Sequence, residues 1–216
     1  MLSPPPQLLP LVQRPKTLGR QVWDLVGLPI RFLLPDHIVE AFGLTSLRAE
    51  RFGAALAEMR GRCLDIGCGP NTLLSLYARQ CGDDDHVGLE IFDWGGGATV
   101  VPSVETLPFE SAVFDSVVIL AALNHIPERK AVLTEALRVL RPEGKLIVSM
   151  ITPFVGGISH RIRFWGEHSH RGMEEGETFG LAIRDVEAMI VDGGFNPPRV
   201  HGFLYGFNTL FVATKP

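Results

Sequence analysis

Two carboxylates, Asp65 and Glu90, stand at a spacing that suits a nucleotide-like ligand. Asp65 lies in "CLDIGCGPN", residues 63–71, just before Gly67 and Gly69, and Glu90 ends "HVGLE" 21 residues after Gly69. A strand, a glycine turn and a helix let the backbone approach a ligand and aim helix amides at it. An acidic residue about 20 residues further on is placed to accept hydrogen bonds from ribose hydroxyls. The spacing therefore predicts a nucleoside site.

Asp65 argues against a dinucleotide in this turn. The third glycine of the dinucleotide pattern would fall at position 72, where Thr72 stands. A carboxylate entering the turn would repel a pyrophosphate. The same carboxylate can bind an ammonium group, and a charge-assisted hydrogen bond of this kind contributes about 1.5–3 kcal/mol. A nucleoside joined to an amino acid satisfies both carboxylates, and S-adenosylmethionine is such a molecule.

Apolar strands alternate with helices along the chain, which predicts an α/β fold with a parallel sheet covered on both faces. The predicted strands are "RCLDIG", "HVGLEIF", "TVVPS", "SVVILAA", "GKLIVSM", "RVHGFLYGF" and "TLFVATK", the last two being separated by Asn208 and read as a hairpin. Helices are predicted over 17–27, 36–43, 46–60, 71–80 and 127–140, and in "LAIRDVEAMIVDGGF". Ser46 is expected to cap its helix, and Pro142 and Gly144 to break the chain after residue 140.

Composition narrows the classes of partner. The chain has 216 residues and a formal charge of -4, so no overall positive field attracts nucleic acid or an anionic membrane, although a local basic patch stays open. Cys63, Cys68 and Cys81 include no C-x-x-C pair and are expected as thiols in a cytoplasmic protein. Prolines interrupt the first 16 residues, which excludes a signal peptide or a membrane span there. We expect a flexible or extended arm, either a polyproline ligand or an unstructured or docked tail.

The chain resembles the class I S-adenosylmethionine-dependent methyltransferases, and is most similar to the branch that includes quinone-biosynthesis C-methyltransferase-like enzymes. Four motifs in order carry the resemblance: "LDIGCGPN", "VGLE", "LPFESAVFDSVVI" and "EALRVLRPEGKLIV", all within residues 62–150. It implies a Rossmann-like, mostly parallel seven-stranded sheet with an antiparallel last strand. It also implies an N-terminal arm and helices over 1–60 on the substrate side, a methyltransferase domain over 61–216, and a lid-like insertion over 151–180.

The resemblance also assigns a cofactor site. It implies S-adenosylmethionine contacts, with S-adenosylhomocysteine as the product, at Asp65, Gly67, Cys68, Gly69, Asn71, Glu90, Ile91, Ser103, Val104, Glu105, Ala121 and Asn124. Ser103 stands where the family often has an acidic residue near adenine, so backbone amides around Val104 and Glu105 are expected to serve there. Asn71 stands where a further glycine is usual, and its amide is expected to cap the next helix. Asp115 is interpreted as structural.

Acceptor contacts are expected at Asn124, His125, His168, His170, Arg171 and Glu174. His125 is either the general base or a residue that caps the "NHIPERK" helix or lines the pocket. Trp94 either stacks on adenine or is an ordinary exposed or core-edge indole, and Cys68 fills space in the turn. The cluster of His160, His168 and His170 with Glu167, Glu174 and Glu175 matches no usual zinc spacing, so no metal is expected.

These observations predict an enzyme that moves a methyl group in line from S-adenosylmethionine to an oxygen, nitrogen or carbon of a small molecule. Holding donor and acceptor in line can contribute up to about 7–11 kcal/mol. No nucleic acid partner and no membrane span are expected, and the chain is expected to be a monomer or homodimer. Two alternatives stay open: a methyltransferase for RNA or protein, and a module that binds the cofactor without catalysis. Asp65 argues against a nicotinamide oxidoreductase.

Overall fold

A computed structural model describes residues 8–151, 178 and 180–216. In this part of the chain a seven-stranded sheet has the order β3-β2-β1-β4-β5-β7-β6. The strands are β1 (Cys63–Ile66), β2 (Val87–Glu90), β3 (Thr99–Val100), β4 (Phe114–Leu120), β5 (Leu140–Ile151), β6 (Arg199–Phe203) and β7 (Asn208–Thr214). The strands β1 to β5 are parallel, whereas β7 is antiparallel to both β5 and β6. The predicted sheet and its reversed last strand are confirmed.

Helices cover both faces of the sheet. They are α1 (Leu8–Leu11), α2 (Leu18–Val26), α3 (Leu28–Leu33), α4 (Asp36–Ala41), α5 (Leu47–Leu56), α6 (Thr72–Cys81), α7 (Arg129–Val139) and α8 (Ile183–Asp192). One apolar cluster joins α7 and α8 to the sheet, and the other joins α1, α5 and α6 to the opposite face. Successive strand residues alternate between these clusters, as Ile147 and Val148 do, because side chains along a strand point to opposite faces.

Several boundaries differ from the predicted ones. Ser46 caps α5 as expected, accepting a hydrogen bond from the Ala49 amide at 3.0 Å, but the helix ends at Leu56 instead of Arg60. Helix α7 begins at Arg129, two residues after the predicted start at Pro127. Pro142 and Gly144 were predicted to separate α7 from β5, and this prediction is wrong. They lie inside an irregular stretch of β5, since Leu140 pairs with Phe114 and Lys145 with Ser116.

The closing hairpin and the N-terminal segment also differ in detail. Asn208 does not separate the last two strands but begins β7, and a short 3-10 turn, Leu204–Gly206, connects it to β6. Within the arm expected over the first fifteen residues, Leu8–Leu11 form α1, which packs on the sheet face with Leu8 fully buried. A docked tail therefore describes residues 8–12 better than an extended arm, because Leu8, Leu11 and Val12 all gain burial. Residues 1–7 lie outside the described residues.

The helices α2 to α5 are tied together by a buried ionic network. Glu50 forms ion pairs with Arg14, Lys16 and Arg31, and Asp24 pairs with Lys16. Arg31 is fully buried and also donates to the carbonyl of Thr45 at 2.6 Å. Because a buried charge is costly unless it is paired, this network fixes how α2, α3 and the segment before α2 sit on α5. None of the helices that the structure describes is both long and apolar enough to cross a bilayer.

Candidate active site

The candidate site lies at the carboxyl ends of β1, β2 and β4, at the centre of the sheet. Asp65 of β1 pairs with Gly88 of β2 on one side and with Val118 of β4 on the other. The chain order of the strands reverses between β1 and β4, since the chain runs outward to β3 and returns to β4. In open parallel sheets, ligands bind in the crevice at such a switch point. The predicted motifs thus meet at one place.

The turn after β1 brings the backbone close to the end of β4. Gly67 has φ +73° and Gly69 φ +53°, a region that side chains with a Cβ rarely occupy. A Cβ on Gly67 would lie 2.6 Å from the Cβ of Ala122, so a larger residue would displace the turn. The amides of Gly67 and Cys68 donate to the carbonyl of Leu89, at 2.9 and 3.2 Å. These bonds tie the turn to β2 and fix its position at the carboxyl edge of the sheet.

Asp65 is a buried carboxyl group with an oxygen that could bind a cation. Its side chain is buried, and its Oδ1 atom has no hydrogen-bond partner among the residues that the structure describes. Burial and the nearby negative charge of Glu90 raise the pKa of Asp65 to about 8. A buried carboxyl of this kind is stabilised as an anion only by a positive or hydrogen-donating group. Asp65 therefore fits the ammonium group of an amino-acid moiety and does not fit a phosphate.

Glu90 stands at the carboxyl end of β2, as predicted. Its Oε2 accepts a hydrogen bond from the Ile91 amide at 2.9 Å, and its carbonyl accepts one from the Val101 amide at 2.8 Å. These bonds orient the half-buried carboxylate at the sheet edge, where it can accept hydrogen bonds from ribose hydroxyls. The Ile91 side chain is 49% exposed beside it. A ring lying over Glu90 would cover this apolar surface.

Asn71 does not cap α6, contrary to the prediction. It occupies the N-cap position with φ +56°, and its side chain makes no capping hydrogen bond. A Cβ on Gly88 would lie 2.5 Å from Asn71 Oδ1, which shows that the amide is turned toward β2 and away from the helix amides. The left-handed backbone causes this orientation, because an N-cap side chain normally requires extended torsions. Asn71 Oδ1 is buried without a hydrogen-bond partner among the described residues.

The glycine loop after β2 closes over the same turn. Gly96 is buried, and a Cβ there would lie 2.1 Å from the carbonyl oxygen of Pro70. Only glycine permits so close an approach of two backbone segments. Trp94 packs edge-to-face on Phe92, with ring centroids 5.0 Å apart. The sequence indicated a turn at "WGGGA" without indicating that it contacts the motif at residues 67–71.

Of the backbone amides expected to contact adenine, at Val104 and Glu105, one already has a hydrogen-bond partner. The Glu105 amide donates to the Ser103 hydroxyl at 3.1 Å, so this amide already has a partner within the loop. Val104 is buried, whereas the Glu105 side chain is exposed. Adenine contacts through Val104 stay a prediction. A contact through the Glu105 amide would require the bond to Ser103 to open.

At the end of β4 the chain turns sharply and delivers two polar side chains. Ala121 has φ +51°, and its amide donates to the carbonyl of Ser149 in β5 at 3.1 Å. A 3-10 turn, Leu123–His125, follows. The Asn124 side-chain amide donates to the carbonyl of Thr178 and to Nε2 of His125, both at 3.0 Å. Helix α7 begins without a side-chain cap, so His125 does not cap it.

Two buried polar residues near this edge were missed by the sequence reasoning. Ser149 Oγ and Asn208 Oδ1 have no hydrogen-bond partner among the described residues, and both residues are almost completely buried. Ser149 lies opposite Leu210, and Asn208 lies opposite Ile151, so both side chains point to the face covered by α1 and α5. The available signal was a serine inside the apolar run "GKLIVSM" and an asparagine between two apolar runs.

Other predicted residues have simpler outcomes. All three cysteines are free, and burial raises the pKa of the Cys68 thiol, which suits a residue that fills space. Asp115 accepts hydrogen bonds from the Arg62 amide and the Arg141 guanidinium at the start of β4, as a structural residue would. The remaining predicted residues lie outside the described residues: His160, Glu167, His168, His170, Arg171, Glu174 and Glu175. The expectations of a lid, acceptor contacts and no metal ligands there stay predictions.

Comparison with known proteins agrees with this geometry. Residues 64–148 match the methyltransferase domain family. A ubiquinone biosynthesis O-methyltransferase from Xanthomonas axonopodis is 31% identical over 227 aligned residues, covering 92% of this chain and 91% of that protein. A ubiquinone/menaquinone biosynthesis C-methyltransferase from Vibrio parahaemolyticus is 25% identical, covering 71% of each. A SAM-dependent methyltransferase structure from Thermotoga maritima has a TM-score of 0.59 at 18% identity, covering 77% of this chain and 88% of that one.

The fold and the carboxylate pair define a class I methyltransferase. The chain belongs to the S-adenosylmethionine-dependent methyltransferase family, and it is an enzyme of that class.

Proposed function

We propose that this methyltransferase binds S-adenosylmethionine through Asp65 and Glu90 and methylates a small molecule. The single observation that carries the cofactor assignment is the buried Oδ1 of Asp65, which lacks a hydrogen-bond partner among the described residues and lies beside a glycine turn. In this proposal Asp65 receives the ammonium group and Glu90 the ribose hydroxyls. When bound, the cofactor supplies an electrophilic methyl group on a sulfonium.

The contribution of the protein to the reaction is mainly positional. Asp65 and Glu90 are fixed by neighbouring strands of one sheet, so the two ends of the cofactor are held at a constant separation. In this proposal Ala121 and Asn124 border the cofactor on the side toward β5, because they lie at the end of β4, where the Ala121 amide donates to the Ser149 carbonyl. A nucleophile held there can attack the methyl carbon opposite the sulfur while the carbon–sulfur bond breaks and the thioether S-adenosylhomocysteine leaves. Restriction of both reactants can supply much of the rate gain.

The acceptor is proposed to meet buried polar atoms at the ends of β4, β5 and β7. Asn124 Oδ1, Ser149 Oγ and Asn208 Oδ1 are buried without hydrogen-bond partners among the described residues. Two of the three are carbonyl oxygens, so they suit an acceptor that donates through a hydroxyl or an amine. The similarity to ubiquinone biosynthesis methyltransferases supports a small molecule over RNA or protein.

A ligand panel tests the cofactor. S-adenosylmethionine and S-adenosylhomocysteine should each raise the melting temperature, because a ligand at 100 times its dissociation constant stabilises a fold by about 2.7 kcal/mol. NAD and NADP should leave the melting temperature unchanged. Asp65→Ala should remove the stabilisation. A shift by NADP without one by S-adenosylmethionine would contradict the proposal.

Labelled methyl transfer tests the acceptor. Cell extract is divided into small-molecule, RNA and protein fractions and incubated with methyl-labelled S-adenosylmethionine and the enzyme. Label should enter the small-molecule fraction and should be absent with Asp65→Ala. Label confined to the RNA or protein fraction would establish the alternative acceptor, and binding without any transfer would favour a non-catalytic module. Cytoplasmic location and a monomeric or homodimeric state stay part of the proposal.

A further inference from the structure

Helix α2 presents its apolar side outward. Leu18, Val22, Leu25 and Val26 follow one another at spacings of four, three and one residues, which places them on one side of a helix, and they are between 54 and 76% exposed. Ile30 and Leu33 of α3 and Phe42 after α4 add exposed apolar surface. We call these seven residues the apolar face. Its size is unusual for a surface that contacts only water.

The polar side of α2 is turned inward and cannot exchange places with the apolar face. Asp24 is 1% exposed and accepts hydrogen bonds from the Thr45 amide at 2.8 Å, the Thr45 hydroxyl at 2.7 Å and Lys16 at 2.7 Å. Although burial opposes it, these bonds hold the pKa of Asp24 below its usual value, so the carboxylate is ionised. Rotating α2 to bury its apolar side would break the bonds of Asp24 and leave Lys16 and the buried Thr45 without this partner, which is strongly unfavourable. The outward orientation is therefore fixed by the fold.

The charges around the apolar face favour an anionic surface. Residues 8–50 contain four carboxylates, and three of them, Asp24, Glu40 and Glu50, are buried in ion pairs with Arg14, Lys16, Arg31 and Arg48. The same segment carries five Lys and Arg residues, whereas the chain as a whole has a charge of -4. Arg20, on α2 itself, donates to the carbonyl of Gly43 and forms no ion pair with a carboxylate among the described residues. The segment therefore has a net charge of +1 in a chain of net charge -4, and Arg20 lies on the helix that carries most of the apolar face.

Trp23 adds an interfacial side chain to the same surface. It is 51% exposed, and its indole nitrogen donates to the carbonyl of Phe42 at 3.4 Å. Tryptophan with an exposed ring is enriched where proteins meet the headgroup region of a bilayer. Phe32, which precedes Leu33 of the apolar face in α3, packs edge-to-face on Phe207, next to Asn208 of the proposed acceptor edge, with ring centroids 5.2 Å apart.

We propose that the apolar face docks the enzyme on the surface of a bilayer that contains anionic lipids. The apolar side chains would enter the headgroup boundary, Trp23 would lie at that boundary, and Arg20 would contact lipid phosphates. A second copy of the chain suits the face less well, because it would bring two segments of net charge +1 against each other.

Vesicle co-sedimentation tests the proposal with the full chain. The probes are vesicles of phosphatidylcholine alone and of phosphatidylcholine mixed with phosphatidylglycerol. The wild-type chain should sediment with the mixed vesicles and more weakly with phosphatidylcholine, and Trp23 emission should shift to the blue, a shift that Trp23→Phe abolishes. The double variant Val22→Glu, Val26→Glu should bind about tenfold more weakly or worse. Arg20→Gln should reduce the preference for the anionic vesicles.

Val191→Glu is the matched control, because Val191 is an exposed valine on α8, far along the chain from the apolar face. It should bind vesicles as the wild type does. A wild-type chain that stays in the supernatant, or a double variant that sediments normally, would overturn the proposal. If sedimentation velocity then shows a dimer that the double variant dissociates, the face pairs two copies instead. The thermal shift by S-adenosylmethionine should persist in the double variant, so this test is independent of the cofactor proposal.

Discussion

The side-chain nitrogen of Asn124 lies 3.0 Å from Nε2 of His125. The same nitrogen lies 3.0 Å from the carbonyl oxygen of Thr178, which can only accept, so the nitrogen and oxygen of this amide are distinguished by their surroundings. Because the amide donates to Nε2, the neutral imidazole carries its proton on Nδ1. His125 can therefore accept a substrate proton at Nε2 only after the bond from Asn124 is broken.

Asn124→Asp should change the protonation of His125. A carboxylate cannot donate to Nε2, so Nε2 must itself carry a proton to keep this hydrogen bond. Nitrogen-15 NMR of the ring should show an unprotonated Nε2 in the wild type and a protonated Nε2 in the variant. The exposed His201 of β6 is the internal control and should be unchanged. A wild-type signal from the Nε2-protonated form would show that the Asn124 bond does not set the tautomer.

The binding roles of Asp65 and Glu90 should be distinguishable by comparing the affinities of each variant for two ligands. Methylthioadenosine keeps the ribose and adenine but lacks the ammonium group. Asp65→Asn should weaken S-adenosylhomocysteine binding by about 10- to 100-fold, equivalent to the loss of one charge-assisted bond, and should leave methylthioadenosine binding unchanged. Glu90→Gln should weaken both ligands. Calorimetry measures both affinities.

Asp115→Asn serves as the control for these carboxylates. Asp115 hydrogen bonds with Arg141 and the Arg62 amide at the amino end of β4, so its loss should affect stability and leave both affinities unchanged. Equal losses for both ligands in Asp65→Asn would place Asp65 away from the ammonium group.

Cofactor affinity should rise with pH. With a pKa raised to about 8, Asp65 is mainly protonated in the free enzyme at neutral pH and must ionise to bind an ammonium group. Each unit below about pH 8 should therefore weaken binding by up to about tenfold, and the dependence should level off above that pH. Calorimetry with S-adenosylhomocysteine between about pH 5.5 and 8.5 measures this slope. Asp65→Asn should bind weakly with little slope over the same range.

The buried Asp65 carboxyl group should limit the stability of the free enzyme. Its folded pKa lies above the unfolded value of 3.8, so the folded state holds a proton that the unfolded state has released between these values. Stability contributed by Asp65 is therefore greatest below pH 3.8 and is lost as pH rises toward about 8. Asp65→Asn should raise the free energy of unfolding at pH 7 by on the order of 3 kcal/mol and by much less at pH 4.5. Urea melts at the two pH values provide the measurement.

Ser149→Ala should stabilise the protein and impair use of the acceptor. The Ser149 hydroxyl is buried without a hydrogen-bond partner among the described residues, so removing it should add about 1 kcal/mol to the free energy of unfolding. Ser116 is the matched control: it is equally buried, but its hydroxyl donates to the Arg60 carbonyl at 2.8 Å and accepts from the Arg60 amide at 3.0 Å. Ser116→Ala should destabilise the fold.

Methyl-transfer kinetics test whether Ser149 also contacts the acceptor, once an acceptor is known. Ser149→Ala should raise the acceptor KM and leave cofactor affinity unchanged. Normal acceptor kinetics together with higher stability would mean that Ser149 does not contact the acceptor.

The spacing of apolar residues predicted the order of strands and helices well, because this spacing depends only on residues that are close in the sequence. The ends of elements were less predictable. The Leu56 end of α5 and the late start of α7 depend on neighbouring elements, and the bulge at Pro142 exists only because β5 pairs with β4. Asn71 shows the same limit within the site, since its left-handed backbone turns an expected cap toward β2.

The sequence by itself predicted the ligand class, because a carboxylate before a glycine turn and another 21 residues after Gly69 constrain charge and spacing wherever the strands lie. Only the tertiary structure decided that Asp65 is buried next to Glu90, that Ser149 and Asn208 share a face, and that Asp24 faces inward while Val22 faces outward. Burial and proximity arise from strand pairing and helix packing between residues distant in the chain, and they set the pKa, the unsatisfied polar atoms and the exposed apolar surface.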